Sequence, residues 1–294
     1  MFALNGSIAA YLLPPEGGVG AVRLSQLRSV GSWLILLLAL GLLRRDLLRV
    51  DRRELPGLAL LGVVGLAGVH ATYFLAIERL PIGVAVTIQY TAPMLLLIWL
   101  RVAHGRRVAQ SLWGAVALSA AGCFLVVRAY DAGALDGLGV LAAFGAAITF
   151  VIYIVGSERA GRTLEPVTTL FYAFGFASLM WAVAAPWWSF PFEAAFGSPR
   201  DALLSLGVIV IGTLLPFMCI VEALRHVPAP RAAVVATLEP VLAAVFAWIL
   251  HDQALAAVQL VGGAAVVAAV AWVQSHRPDL EAELVPPSRR SVSL

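Results

Sequence analysis

The residues of this chain that are suited to chemistry are few, and they sit inside apolar runs. Glu239 lies in the middle of such a run, directly before Pro240. A carboxylate there can recognise a cation or exchange a proton; it can equally pair with a backbone group or an arginine and fix helix packing. An ionisable group at such depth costs about 2.5–3.5 kcal/mol on insertion scales, so it must face protein or water. Pro93 and Pro240 lack an N–H, and each frees the carbonyl four residues back, on Gln89 and Ala236. Both helices are therefore expected to kink. A freed carbonyl beside a cavity can bind an ammonium; it can equally bond a neighbouring helix.

Other polar residues recur at helical spacing. Gln89 and Pro93 share a helix face, with Tyr90 beside them; His70 and Tyr73 are three apart; Thr149 and Tyr153 are four apart. Thr213 precedes Pro216, and Asn5 pairs with Ser7 near the start. Each alone reads as an interhelical hydrogen bond worth ~0.6 kcal/mol. Together they line one polar cavity if their faces converge. His104, His226, His251 and His276 fall at the ends of apolar runs, and Cys123 and Cys219 lie within them as buried structural thiols. No HExxH, CxxC, phosphate loop or nucleophile elbow occurs, so no metal, cofactor or catalytic role is expected.

What positions these residues is a membrane. The chain has 294 residues, of which 61% are hydrophobic and 13% charged, and its mean hydropathy is +0.91. A soluble domain carries about 25% charged residues, so lipid must be the solvent for much of this one. The net charge of +3 does not mark a nucleic-acid binder: every basic residue is arginine, placed between the apolar runs and not in a patch. Long, non-alternating apolar runs favour helices over a barrel. About 20 residues span ~30 Å of hydrocarbon. The expected spans are 25–43, 56–77, 82–102, 112–127, 138–156, 164–187, 203–224, 232–250 and 256–274. Residues 1–13 reach only about 20 Å and read as the outer half of a further, first span; an interfacial stub is the alternative. The tail, 277–294, is polar and reads as disordered and cytoplasmic.

One stretch occurs twice. Residues 76–104 and 223–251 align without a gap at a shift of 147, which sets Pro81 on Pro228, Pro93 on Pro240 and His104 on His251. The charges do not repeat. HGRR from His104 becomes HDQA from His251, while Arg225 and Arg231 stand where the first copy has Glu78 and Val84. Arginine also sorts the connections. Counting 1–13 as the first span, those after the second, fourth, sixth and eighth, together with the tail, carry 15 of the 20 arginines, among them Arg44, Arg45, Arg106, Arg107, Arg159 and Arg225. The opposite side carries Arg23, Arg28, Arg79, Arg128 and Arg200. The arginine-rich side is cytoplasmic by the positive-inside rule, which places both termini there. Five spans per half is an odd number, so the second half must enter the membrane upside down. The expected fold is all-α integral membrane, about ten helices as an inverted five-plus-five repeat. Residues 1–130 form the first repeat and 136–276 the second. Such repeats commonly carry a solute site at their seam.

The motifs TAPMLLLIW (from Thr91), LEPVLAAVFAWIL (from Leu238), LPIGVA, VPAPRAA, Leu27-Arg28 and AITFVIYIVGSERAG resemble the EamA-type exporters of the drug/metabolite transporter superfamily, with a pattern similar to the threonine/homoserine exporter branch. The resemblance covers nearly the whole chain except the tail. It implies ten helices and a central cavity lined by the first, third, fourth, sixth, eighth and ninth spans. It also implies ATP-independent efflux of small metabolites, often amino acids, across the inner membrane. The family usually has Gly-Glu after the fourth and ninth spans; here stand Gly105-Arg106 and His251-Asp252. The expected partners are a small-molecule substrate and the lipid bilayer, with a homodimer left open. Export of cationic or aromatic drugs is the rival transport reading, and a non-transporting scaffold follows if the first helix is incomplete. Topology reporters fused after Arg107 and Asp252 are expected to signal from opposite compartments; a common compartment would remove the antiparallel repeat.

Overall fold

The computed structural model describes residues 19–103, 105, 108–131, 135–251 and 256–275. The expected first span and the tail lie outside these, as does candidate residue Asn5. The described residues form nine apolar helical passages, labelled α1 to α9. They are α1 (Ala21–Leu43), α2 (Leu55–Ile77), α3 (Ile82–Gln89 with Ala92–Ala103), α4 (Gln110–Val126), α5 (Gly137–Ala160), α6 (Pro166–Ala184), α7 (Pro199–His226), α8 (Ala229–Ala236 with Leu238–His251) and α9 (Ala257–Ser275). Seven are long and apolar enough to cross a membrane outright; α4 is shorter, and α8 is divided. Outward-facing Leu38, Leu42, Leu141, Val183, Leu203 and Val261 are exposed, as lipid contact requires.

Local signals set the helix starts. Proline occupies the first turn of α2, α6, α7 and the first piece of α8, where its missing N–H costs nothing. The Asp136 carboxylate accepts from the Gly139 N–H at 2.7 Å and caps α5; Ser198 caps α7 by accepting from the Asp201 N–H at 3.2 Å. The expected spans are recovered, with shifted ends. The most consequential shift is in α1, which starts at Ala21, after Gly20 at φ 73°, and not at position 25. Arg28 thereby moves from the helix mouth into the interior, where it is 8% exposed. Arg28, counted from sequence among the arginines of the arginine-poor side, is instead bonded to Thr213 of α7. Cys219 is a second correction: it is exposed on α7, whereas Cys123 is buried as expected.

The helices are interrupted where the sequence repeats. α3 breaks after Gln89 and α8 after Ala236; α3 starts at Ile82 and α8 at Ala229; α4 starts at Gln110 and α9 at Ala257. Each pair differs by the same shift of 147 found in the sequence. π-helical segments occupy Leu61–Ala67 of α2 and Val210–Leu214 of α7, and their ends also differ by 147. The breaks in α3 and α8 fall one turn before Pro93 and Pro240, where the proline ring and the carbonyl four residues back collide. The expected kinks are thus full interruptions.

Side-chain contacts sort the helix ends into two sets. Thr163 donates to Glu54 at 3.4 Å, Thr168 to the Leu47 carbonyl at 3.0 Å and Tyr172 to the Leu48 carbonyl at 2.7 Å. Arg225 pairs with Glu165 at 3.0 Å, and Arg231 reaches Gln274 at 3.5 Å. These join the α1–α2 and α5–α6 connections, the end of α7, the start of α8 and the end of α9. At the other ends Gln26 donates to the Ala185 carbonyl at 2.7 Å, Arg79 faces Asp136 at 3.9 Å and Gln259 donates to the Val126 carbonyl at 2.9 Å.

Small residues let helices meet closely in lipid. At the α4–α9 seam a Cβ added at Gly122 would lie 2.7 Å from the Gly262 carbonyl oxygen, and one at Gly262 would lie 2.7 Å from that of Gly122. Backbone cannot step aside as a side chain can. Gly122→Val is expected to destabilise the purified protein by about 1–3 kcal/mol. Gly114→Ala, with open space around it, is expected to be neutral or stabilising, with thermal unfolding in detergent as the measurement.

Candidate functional site

The interruptions carry the polar side chains. Tyr90 sits at the α3 break, with φ −75° and ψ 6°, outside helical geometry. Its side chain thereby leaves the α3 ladder and points to α8. The Tyr90 hydroxyl donates to Glu239 Oε2 at 2.8 Å, a bond across 149 residues that ties the first half of the chain to the second. Glu239 lies two residues past the α8 break at Thr237, in the first turn of the second piece. Its side chain is partly buried.

A second set of contacts centres on α7. Pro216 frees the Gly212 carbonyl by the same rule that governs Pro93 and Pro240. Arg28 of α1 takes that carbonyl with Nη2 at 3.4 Å and donates from Nε to Thr213 Oγ1 at 2.8 Å. The Thr213 hydroxyl in turn donates to the Val208 carbonyl at 2.8 Å, inside the π-helical turn. Arg28 and Glu239 act on each other electrostatically, as do His70 and Arg28, and Tyr73 and Glu239. These interactions bring together a guanidinium, a carboxylate, two tyrosines and a histidine, drawn from α1, α2, α3 and α8, with Thr213 of α7 against Arg28. Cys123 of α4 closes one side, its thiol 3.7 Å from the Thr237 carbonyl.

The expected site residues divide accordingly. His70, Tyr73, Tyr90, Thr213 and Glu239 come together. Pro93 and Pro240 are buried one turn past the breaks they create, and Gln89 is half-buried at the α3 break. Tyr153 packs in an aromatic cluster, 5.4 Å from Phe217 and 6.2 Å from Phe150; that cluster adjoins His70 through Phe217 at 6.2 Å. Thr149 bonds the Gly145 and Ala146 carbonyls of its own helix, and its methyl packs on Gly68. Arg28 is the functional candidate absent from the sequence reading. The signal for it was present: Pro216 leaves the Gly212 carbonyl in need of a donor. A separate cleft of about 370 Å³ between α1 and α6 is lined by Val30, Trp33, Phe171, Gly175 and Leu179; it is apolar and holds none of these groups. Among the described residues no cluster of His, Cys, Asp and Glu could hold a metal ion.

The Tyr90–Glu239 bond should be measurable as coupling. In a double-mutant cycle of Tyr90→Phe and Glu239→Gln, thermal unfolding is expected to give an interaction energy of about 0.6–1.7 kcal/mol, the range for interhelical bonds in membranes. Additive effects would show that the two groups do not bond in the membrane.

Comparison with known proteins identifies the family. Residues 7–128 and 137–274 match the EamA-like transporter family. The threonine/homoserine exporter RhtA of Escherichia coli K12 is 29% identical over 269 residues, covering 90% of this chain and 84% of that protein. Its counterpart in Salmonella typhimurium SL1344 is 28% identical over 270 residues. An uncharacterized transporter of Archaeoglobus fulgidus is 28% identical over 230 residues, covering 78% and 79%. A solved crystal structure at 18% identity superposes with a TM-score of 0.73 over 95% of this chain and 94% of its own, which shows a shared fold. With two matched segments that together span nearly its whole length, this chain belongs to the EamA-like transporter family, a multi-pass membrane protein of a family of transporters and not of enzymes.

Proposed function

We propose that this protein exports small amphipathic solutes of the amino-acid class across the inner membrane, by alternating access at the seam of two oppositely oriented five-helix repeats. The observation that carries the reading is the Tyr90–Glu239 bond, which joins the break of α3 to the break of α8 at the corresponding place in each half. Discontinuous helices at mid-membrane expose backbone groups and side chains to a bound solute. Support for the opposed orientation comes from the helix ends: the start of α2 and the end of α7 meet the same α5–α6 connection, through Glu54 and Arg225 respectively, although α2 and α7 occupy equivalent places in the repeat. The face that gathers Arg44, Arg45, Arg159, Arg162 and Arg225 is the cytoplasmic one. The relatives named as threonine/homoserine exporters favour amino acids as the solute.

Efflux of cationic aromatic compounds is the second reading, favoured by Tyr73 and Tyr90 beside the Glu239 carboxylate, since aromatic faces attract organic cations. Counterflow in proteoliposomes separates the two. Wild type loaded with neutral amino acids is expected to accumulate labelled L-threonine, and Glu239→Gln to slow this at least tenfold. Accumulation of a lipophilic aromatic cation without any amino acid would select the second reading. A wild type that moves neither, with Glu239→Gln silent throughout, would remove Glu239 from the transport path.

A further inference from the structure

We infer that Arg28 and Glu239 form the two poles of a zwitterion site, in which the solute's carboxylate takes Arg28 and its ammonium takes Glu239 with Tyr90. This rests on the amino-acid reading above and names the residues that would select such a solute from its charged analogues.

The charges are paired in an unusual way. Arg28 is buried within α1, and its observed acceptors are both neutral, the Thr213 hydroxyl at 2.8 Å and the Gly212 carbonyl at 3.4 Å. Its remaining terminal amine, Nη1, donates to no described residue. Glu239 accepts from the Tyr90 hydroxyl on Oε2, and its Oε1 accepts from no described residue. The two ionic groups feel each other's field, yet they form no direct ion pair. A pair serving only to hold helices together gains most from the bidentate guanidinium–carboxylate contact. Here each charge is tethered to a neutral group on another helix: Arg28 to the π-helical turn of α7, Glu239 to the break of α3. The tethers hold the charges apart and, among the described residues, leave a spare donor on one and a spare acceptor on the other.

Such a separated pair rewards one class of ligand. A free anion would satisfy Arg28 and crowd Glu239; a free cation would do the reverse. Leaving either charge desolvated without a partner is costly. A small α-amino acid carries both complements a few bonds apart and lets both charges be desolvated together. Discrimination against a derivative that lacks one pole comes from the protein charge left unpaired, the same logic by which buried polar groups reject incomplete substrates. Tyr73, which also lies in the field of Glu239, adds a half-buried phenol for the side-chain end of the solute.

The test is competition binding with the full chain in lipid nanodiscs, with labelled L-threonine as probe. Competitors are L-threonine, L-threoninamide, which lacks the carboxylate, and N-acetyl-L-threonine, which lacks the ammonium. Wild type is expected to bind each derivative at least tenfold more weakly than L-threonine. Arg28→Gln should bring the threonine-to-threoninamide ratio close to one and leave the ratio to N-acetyl-L-threonine in place; Glu239→Gln should do the converse. Arg28→Lys and Glu239→Asp, which keep the charges, should retain both ratios within about threefold, and they answer the question if the glutamine variants do not fold. Wild type binding L-threonine without discriminating either derivative, or both glutamine variants losing both ratios together, would overturn the zwitterion site and leave amino-acid export standing. Absence of any amino-acid binding by wild type would instead overturn the proposed function, and this site with it.

Discussion

The constraint on which this structure depends is that a polypeptide in hydrocarbon must satisfy its own backbone. An uninterrupted helix does so; an interrupted one must be covered by protein or must line a polar interior. This chain interrupts α3 and α8 outright and relaxes α2 and α7 into π-helical turns. Around these places, threonine hydroxyls and a thiol add hydrogen bonds to backbone carbonyls. Thr91 donates to the Ile88 carbonyl at 2.6 Å, Thr237 to that of Val234 at 2.6 Å and Thr213 to that of Val208 at 2.8 Å. Cys123 points its thiol to the Thr237 carbonyl. Several polar residues are thereby gathered where the backbone is irregular, and that coincidence defines the candidate site.

Electrostatics follows from the same geometry. A guanidinium and a carboxylate in a low-dielectric interior interact more strongly than at a surface, and each needs hydrogen bonds to offset lost hydration. Arg28 obtains its bonds at the π-helical turn, Glu239 at the helix break. Both groups are thus fixed by elements whose local shape is exceptional, so a change in the α3 or α8 break or in the α7 turn would move a charge.

Elsewhere the fold is conventional membrane packing. Gly122 and Gly262 bring α4 and α9 to backbone contact, while Gly62 sits against the Ala173 carbonyl of α6. Buried alanines and leucines fill the space between α2, α5 and α6 around Tyr153, Phe174 and Phe217. That aromatic cluster packs against His70 through Phe217. The charged contacts of Arg225, Glu165 and Glu222 at one set of helix ends lie in the water-facing zone, where they are individually weak but fix which ends belong together.

Much of this was legible in the sequence. Apolar run length gave the passages to within a few residues, since hydrocarbon thickness leaves little freedom. The shift of 147, by setting Pro93 on Pro240, located a kink in both α3 and α8 before any contact was known, because proline acts on the backbone locally; the π-helical turns emerged only in the structure. Glu239 was identifiable as a site candidate because a carboxylate in an apolar run always needs a reason. Its partner was not: nothing in the spacing of Tyr90 separates a phenol that reaches α8 from one that packs against its own helix, and Thr149 shows the latter outcome for an equally plausible candidate. Arg28 escaped because its place depends on a helix start four residues early, and ends are set by caps and neighbours more than by hydropathy. The sequence alone thus determined the elements, their interruptions and the presence of a buried acid, all local properties of the chain. Which polar side chains meet was decided only by tertiary structure, because that depends on the rotation of each helix about its axis, and packing against distant segments sets that rotation.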